Sequence, residues 1–143
     1  MQEIDQFKER MDGKISHLIE KKRRFYFNVE SENLCEVAEY LFKNLDCRLS
    51  TATAMEMMHG IEILYNFSLD RTGQYFCPRV VITDKENPMV PSITSIIGGA
   101  VWIEREMFDL WGIEFDGHPR MEELLTIHHP RGLKQPMRFR RTE

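Results

Sequence analysis

Glu104, Glu106, Asp109 and His118, carboxylates and an imidazole, fall close together in the stretch VWIEREMFDLWGIEFDGHP, residues 101–119. Carboxylates beside a histidine are the residue types that bind a metal or exchange protons with a substrate. The spacing opposes that chemistry. It matches no ligand motif such as HExxH, and on a helix residues two apart point about 160° away from each other, which separates Glu104 from Glu106. On the same helix Ile103, Met107, Phe108, Leu110 and Trp111 share a broad apolar face, while Arg105 and Asp109 stand four apart on the other side and can pair. Two residues are out of place. Glu104 falls inside the apolar stripe, so it must be ion-paired, hydrogen-bonded to backbone amides, or protonated. Trp102 sits among polar positions, an exposed aromatic of the kind that anchors a partner. Three readings follow: a catalytic or metal cluster, a structural ion-pair network around Arg105, or an interface network in which these charges meet another subunit.

Other candidates are weaker. His128-His129 diverge as neighbours on a loop and read as solvated rather than metal-binding. Cys35, Cys47 and Cys77 have no CxxC spacing, which removes a zinc ribbon or a protein-bound iron–sulfur cluster from this chain alone. No GxGxxG, GxxxxGK[ST] or GxSxG occurs, and Gly98-Gly99 alone is a poor phosphate loop. Met55, Met57 and Met58 read as adaptable packing.

The elements that must position these residues can be read from periodicity. Ile4, Phe7, Met11, Ile15, Leu18 and Ile19 have helical spacing broken by Gly13, so residues 1–23 read as an N-terminal helical segment. That helix ends on Lys21, Lys22, Arg23 and Arg24, cations that complement its dipole. RFYFNV (24–29) reads as a strand, and Ser31 as the N-cap of a one-sided helix carrying Leu34, Val37, Ala38, Leu41, Phe42 and Leu45. Residues 47–57 read as a weaker strand. Ile61, Ile63, Tyr65, Phe67 and Leu69 alternate with polar residues in the clearest half-buried strand. Phe76–Thr83 is the next strand, in which Pro78 favours an edge or a strand start. Beyond a loop at 84–91, helical pieces follow at 92–97 and 100–111, and Pro119 opens a last turn carrying Leu124 and Leu125. The fold class is α+β. One domain, 24–127, holds a mixed or antiparallel sheet of about four strands with helices on one face, resembling an αβ-plait. Residues 128–143 form an irregular basic arm, in which five cations face one acid on a chain of net charge -4.

A chain of 143 residues with 42% hydrophobic and 29% charged residues suits one ordered domain. No apolar run is long enough to span a membrane, the start MQEIDQFKER lacks a signal-peptide core, and three unpaired cysteines fit a reducing compartment. Mild acidity opposes a phosphate-wrapping protein, although segments 21–24 and 131–141 leave a nucleic-acid-binding module as a reading from another class.

One resemblance changes these odds. Glu104-Arg105-Glu106, Asp109, Gly112-Ile113, Phe115, Gly117-His118-Pro119 and Leu124-Leu125 resemble the signature of the 30-kDa subunit of respiratory complex I. The small subunit of group 4 membrane-bound (Ech-type) nickel–iron hydrogenases is related to it. Pro91-Ser92, Thr94-Ser95-Ile96 and Ala100–Trp102 resemble its lead-in, so the likeness covers roughly residues 25–125. Glu122-Glu123 replace a usually basic stretch, the closing segment survives only as Pro136 to Arg141, and the long C-terminal extension of many complex I versions is missing. The shortness favours an Ech-type version over a mitochondrial one.

The resemblance implies a noncatalytic subunit of a peripheral arm on the cytoplasmic side of the membrane, with no catalytic, cofactor or metal residue of its own. Its implied partners are the large catalytic subunit (hydrogenase large subunit or 49-kDa-like), an iron–sulfur subunit and, indirectly, membrane subunits. Nickel–iron and iron–sulfur centres would belong to those partners, taking electrons from ferredoxin or NADH; no nucleic acid is expected. Trp102, Glu104, Arg105, Glu106, Asp109, Gly112, Phe115, Gly117, His118, Pro119, Arg138, Arg140 and Arg141 are the implied interface and signature residues.

Overall fold

The computed structural model describes residues 2–122 and 135–138. In chain order it contains α1 (Gln2–Arg10), β1 (Ile15–Glu20), β2 (Arg24–Val29), a 3-10 turn (Ser31–Asn33) and α2 (Leu34–Glu39), which runs into a wide π turn (Tyr40–Asn44). Then come β3 (Arg48–Met57), β4 (Gly60–Leu69), β5 (Gln74–Ile82), β6 (Met89–Pro91), α3 (Ala100–Trp111) and β7 (Glu114–Asp116). Five strands form one sheet in the order β1-β2-β5-β4-β3. β2 and β5 run parallel and the other neighbours antiparallel. β6 and β7 form a separate parallel pair. Among the described residues no helix is long and apolar enough to cross a membrane.

The alternation in β4 does what it implies. Ile61, Ile63, Tyr65, Phe67 and Leu69 are buried on the helix-covered face, joined by Phe25 and Phe27 of β2 and Phe76 and Val80 of β5. α2 lays Leu34, Val37 and Ala38 on that face, and the turn after it adds Leu41. Phe7 of α1 inserts among Phe27, Phe76 and Phe25 at ring-centroid distances of 4.9, 5.4 and 6.1 Å, arrangements that aromatic quadrupoles favour. Gly60 lies so close to β5 that a Cβ there would stand 2.4 Å from the Ile82 carbonyl oxygen. The opposite face is open, with Tyr26, Asn28, Thr53, Met55, Glu62, Leu64 and Arg79 around a shallow groove.

Several expectations need correction. The helical spacing over residues 1–23 does not describe one helix. α1 ends at Arg10, Gly13 takes a left-handed φ of 80°, and residues 15–20 become β1 because β2 offers them a ladder. A bulge at His17 (φ 51°) leaves Leu18 and Ile19 exposed. Lys21–Arg24 therefore follow a strand, and no helix dipole explains them. Pro78 lies in the central strand, not at an edge. Phe27 flanks it on the β2 side, while the β4 ladder pairs Leu64 with Arg79 and Phe67 with Phe76 and skips the positions between, where proline has no N–H to give. Ser31 opens the 3-10 turn, and the α-helix starts three residues later. The piece at 92–97 is a single turn closed by Ile97 N–H donating to the Ile93 carbonyl, because Gly98-Gly99 follow and Ser92 is drawn aside.

Candidate functional site

α3 occupies 100–111, as its periodicity predicts. It packs on β3 and β7, and its last turn closes on Gly112 at φ 77°. Glu104 projects from it into the interior with 0% exposure. Its Oε1 accepts a hydrogen bond from the Ser92 hydroxyl at 2.6 Å, and its Oε2 accepts one from the Ile93 N–H at 2.9 Å. Ser92 Oγ and Thr94 Oγ1 are 2.7 Å apart, and the Thr94 N–H donates to Ser92 Oγ at 3.1 Å. The misplaced acid of the apolar stripe is thus a clamp that pins the 92–94 loop to α3. Burial pushes its pKa up, and the bonds from Ser92 and Ile93 only partly offset that. Tyr65 is also fully enclosed. Its hydroxyl has no hydrogen-bond partner among the described residues, and burial raises its pKa, with the charge of Glu104 acting in the same sense.

His118 fastens the start of the helix. Its Nδ1 accepts from the Arg120 N–H at 2.9 Å, so Nε2 carries the proton and donates to the Val101 carbonyl at 3.0 Å. Arg105 is buried, its Nε donating to the Glu122 carbonyl at 2.8 Å and its guanidinium 5.3 Å from the ring of Trp102. Trp102 is 59% exposed, the exposed aromatic the sequence implies. Glu106 is exposed and Asp109 buried. Phe115 is buried in β7, and Gly117 and Pro119 flank His118 in the exposed turn after it. The structure therefore does not assemble Glu104, Glu106 and His118 around a common point. Among the described residues no group of three or more His, Cys, Asp or Glu side chains is placed to hold a metal ion.

The expected two-sidedness of α3 is altered. Arg105 and Asp109 are buried, whereas Ile103, Phe108, Leu110 and Trp111 are only half-buried. Chain beyond α3 folds back over the side that periodicity alone assigns to solvent. Part of that cover is 135–138, where the Met137 N–H donates to the Leu110 carbonyl at 3.0 Å. Arg138, read from sequence as part of a basic arm, turns into the body of its own chain. Its Nε donates to Glu56 Oε1 at 2.9 Å, Nη1 to the Trp111 carbonyl at 3.1 Å and Nη2 to the Lys85 carbonyl at 2.7 Å. Arg140, Arg141, Leu124-Leu125 and His128-His129 lie outside the described residues.

Glu56, Ser92, Tyr65 and Gln135 did not stand out as functional from sequence. Glu56 carried a usable signal: it continues the inward series of Ala52 and Ala54 on β3, which places an acid on the buried face. The cysteines are separate free thiols, and burial pushes each upward, Cys47 to about 12, which disfavours thiolate. Met58 is exposed in the β3–β4 turn and Met57 half-buried, so that methionine group is not core packing as a whole.

Residues 27–141 match the family described as respiratory-chain NADH dehydrogenase, 30 Kd subunit. The chain is 37% identical over 111 residues to the C subunit of the NADH-quinone oxidoreductase of Ruegeria pomeroyi, covering 73% of this chain and 54% of that relative. It is 38% identical over 71 residues, half of this chain and 13% of the other, to the C/D subunit of the NADH-quinone oxidoreductase of Bacteroides thetaiotaomicron. It thus spans about half the length of the first of these relatives. It also shares its fold with a chain from the membrane-bound sulfane sulfur reductase (MBS), an archaeal respiratory membrane complex. The TM-score is 0.77 at 21% identity, covering 93% of this chain and 80% of that one. With its signature stretch on α3 and β7 matched in this way, the chain belongs to the 30-kDa subunit family of respiratory-chain NADH dehydrogenase.

Proposed function

We propose that this chain is a noncatalytic subunit of the peripheral arm of a membrane-bound oxidoreductase, a group 4 nickel–iron hydrogenase or a complex I-like enzyme, and packs on the large catalytic subunit. It sits on the cytoplasmic side, while electrons from ferredoxin or NADH pass through iron–sulfur centres of its neighbours. One observation carries the reading. Two of the signature residues that could do chemistry are spent on internal bonds, Glu104 closed from solvent and both His118 nitrogens bonded to backbone, while Trp102 stands exposed beside them. Such a site holds shape and offers no open position to a substrate. The relative named as a C/D subunit, one chain under the letters of two, supports direct contact with the large subunit.

The quinone-reducing version is the second reading, favoured by relatives whose names make them C subunits of an NADH-quinone oxidoreductase. Purification from the native host through a tag on this chain tests both. Co-purification of a large catalytic subunit and an iron–sulfur subunit is expected, and two CxxC pairs in the former select the hydrogenase. Turnover by the purified chain, or metal bound to it in stoichiometric amount, would overturn the noncatalytic role.

A further inference from the structure

The β1–β2 hairpin ends in four consecutive cations that nothing in its local structure calls for. Lys21 N–H donates to the Arg24 carbonyl at 2.8 Å, which leaves Lys22-Arg23 as a two-residue tip. Tips of that length favour Asn-Gly or another pair tolerant of positive φ, yet neither Lys22 nor Arg23 adopts one. Turn chemistry therefore does not select these residues, and neither does a helix dipole, since the preceding element is a strand.

Backbone bonds brace the tip, and its cations are left without a carboxylate partner among the described residues. Tyr75 N–H, at the start of β5, donates to the Arg23 carbonyl at 2.8 Å, and the Arg24 guanidinium lies 4.7 Å from the Tyr75 ring. All four side chains are exposed, and none has an ion-pair partner among the described residues. The acids close by are engaged elsewhere: Glu20 pairs with Lys8, and Glu3 with Arg71 of the β4–β5 turn. Leu18 and Ile19, 46% and 52% exposed on the same hairpin, add apolar surface beside the charge.

We propose that Lys21–Arg24 is a docking tip for a carboxylate-rich surface of a neighbouring protein subunit; this rests on the subunit role proposed above. Its backbone is held in place before contact, so little loop order is lost on binding. A discrete acidic patch fits better than a polyanionic sheet. The chain's net charge of -4 repels an extended membrane or nucleic-acid surface, whereas a protruding tip meets a local patch within the screening length of about 8 Å. The nearby apolar pair gives a protein surface something to bury besides charge.

The test compares the tagged full chain purified with its native complex as wild type, as Lys22→Glu/Arg23→Glu, and as the milder Lys22→Gln/Arg23→Gln. Lys43→Glu, an exposed cation on the turn after α2, is the control, and thermal melts establish that each chain folds. The reversed pair should cut the fraction retained in the complex about tenfold at roughly 0.15 M salt, the neutral pair less, and the control hardly at all. Retention of both tip variants at wild-type levels overturns the proposal and leaves the subunit role standing. Binding to phosphatidylserine vesicles that depends on Lys22 and Arg23, with assembly intact, assigns the tip to lipid and also overturns it. A wild-type chain that co-purifies with no oxidoreductase subunit sinks the subunit role itself.

Discussion

Arg138 donates its Nε proton to Glu56 Oε1 across 2.9 Å, joining positions 82 residues apart in the chain. Glu56 is 8% exposed and also lies 3.4 Å from Lys85 Nζ, so its charge is met from two sides. The same guanidinium closes the Trp111 carbonyl at the end of α3. One side chain thus ties segment 135–138 to both the sheet and the helix.

Arg138→Met should destabilise the chain by about 2 kcal/mol, less than for a fully enclosed pair because Lys85 remains. A double-mutant cycle with Glu56→Gln, followed by urea unfolding, should give a coupling of about 1 kcal/mol. A coupling indistinguishable from zero would show that the bond adds nothing to the fold.

Glu104→Ala should cost about 3 kcal/mol, since it strands the Ile93 N–H and the Ser92 hydroxyl in a dry interior. Glu104→Gln keeps one acceptor for Ile93, and Ser92 can reorient toward Thr94. A pKa raised in the folded state means that Glu104 contributes most to stability at low pH and that this contribution fades as pH rises through its folded value. The melting temperature of the Gln variant relative to wild type should therefore climb as the pH is raised from the ordinary carboxylate range toward neutrality and above. A flat difference across that range would contradict the raised pKa.

Tyr65→Phe should leave the fold intact and raise stability by about 1 kcal/mol, because it removes a buried hydroxyl that has no partner among the described residues. A loss of that size in calorimetry would mean the hydroxyl is bonded.

Gly112→Ala meets two obstacles: a φ of 77°, and a new Cβ 2.5 Å from the Gln135 side chain. A loss of about 2 kcal/mol is expected. Adding Gln135→Ala should recover the steric part and leave the backbone part. Additive losses in the double variant would argue against the contact.

What was legible in the sequence depended on how local its cause was. α3 was placed to the residue because its periodicity lies within it and Gly112 directly follows it, and the burial of Glu104 followed from that periodicity. β4 declared itself by alternation. Residues 15–20 misled because their apolar spacing suits a helix, while the partner that makes them a strand is β2. Pro78 misled because a central position is tolerable only where a neighbouring ladder skips it. Glu56 and Arg138 could not be paired from sequence, since each finds its partner through a return of the chain across the end of α3.

The parallel pairing of β2 with β5 sets an order of events. β3, β4 and β5 are joined by short turns and can form early, whereas β2 must wait for β5 and then close a long intervening loop. Phe25→Leu or Phe27→Leu should therefore speed unfolding much more than they slow refolding in stopped-flow experiments. Because the hairpin bearing Lys21–Arg24 is anchored through Tyr75 at the start of β5, its cations reach their final geometry only on a finished domain. A half-folded chain would present no such contact, which makes the tip a readout of completed folding.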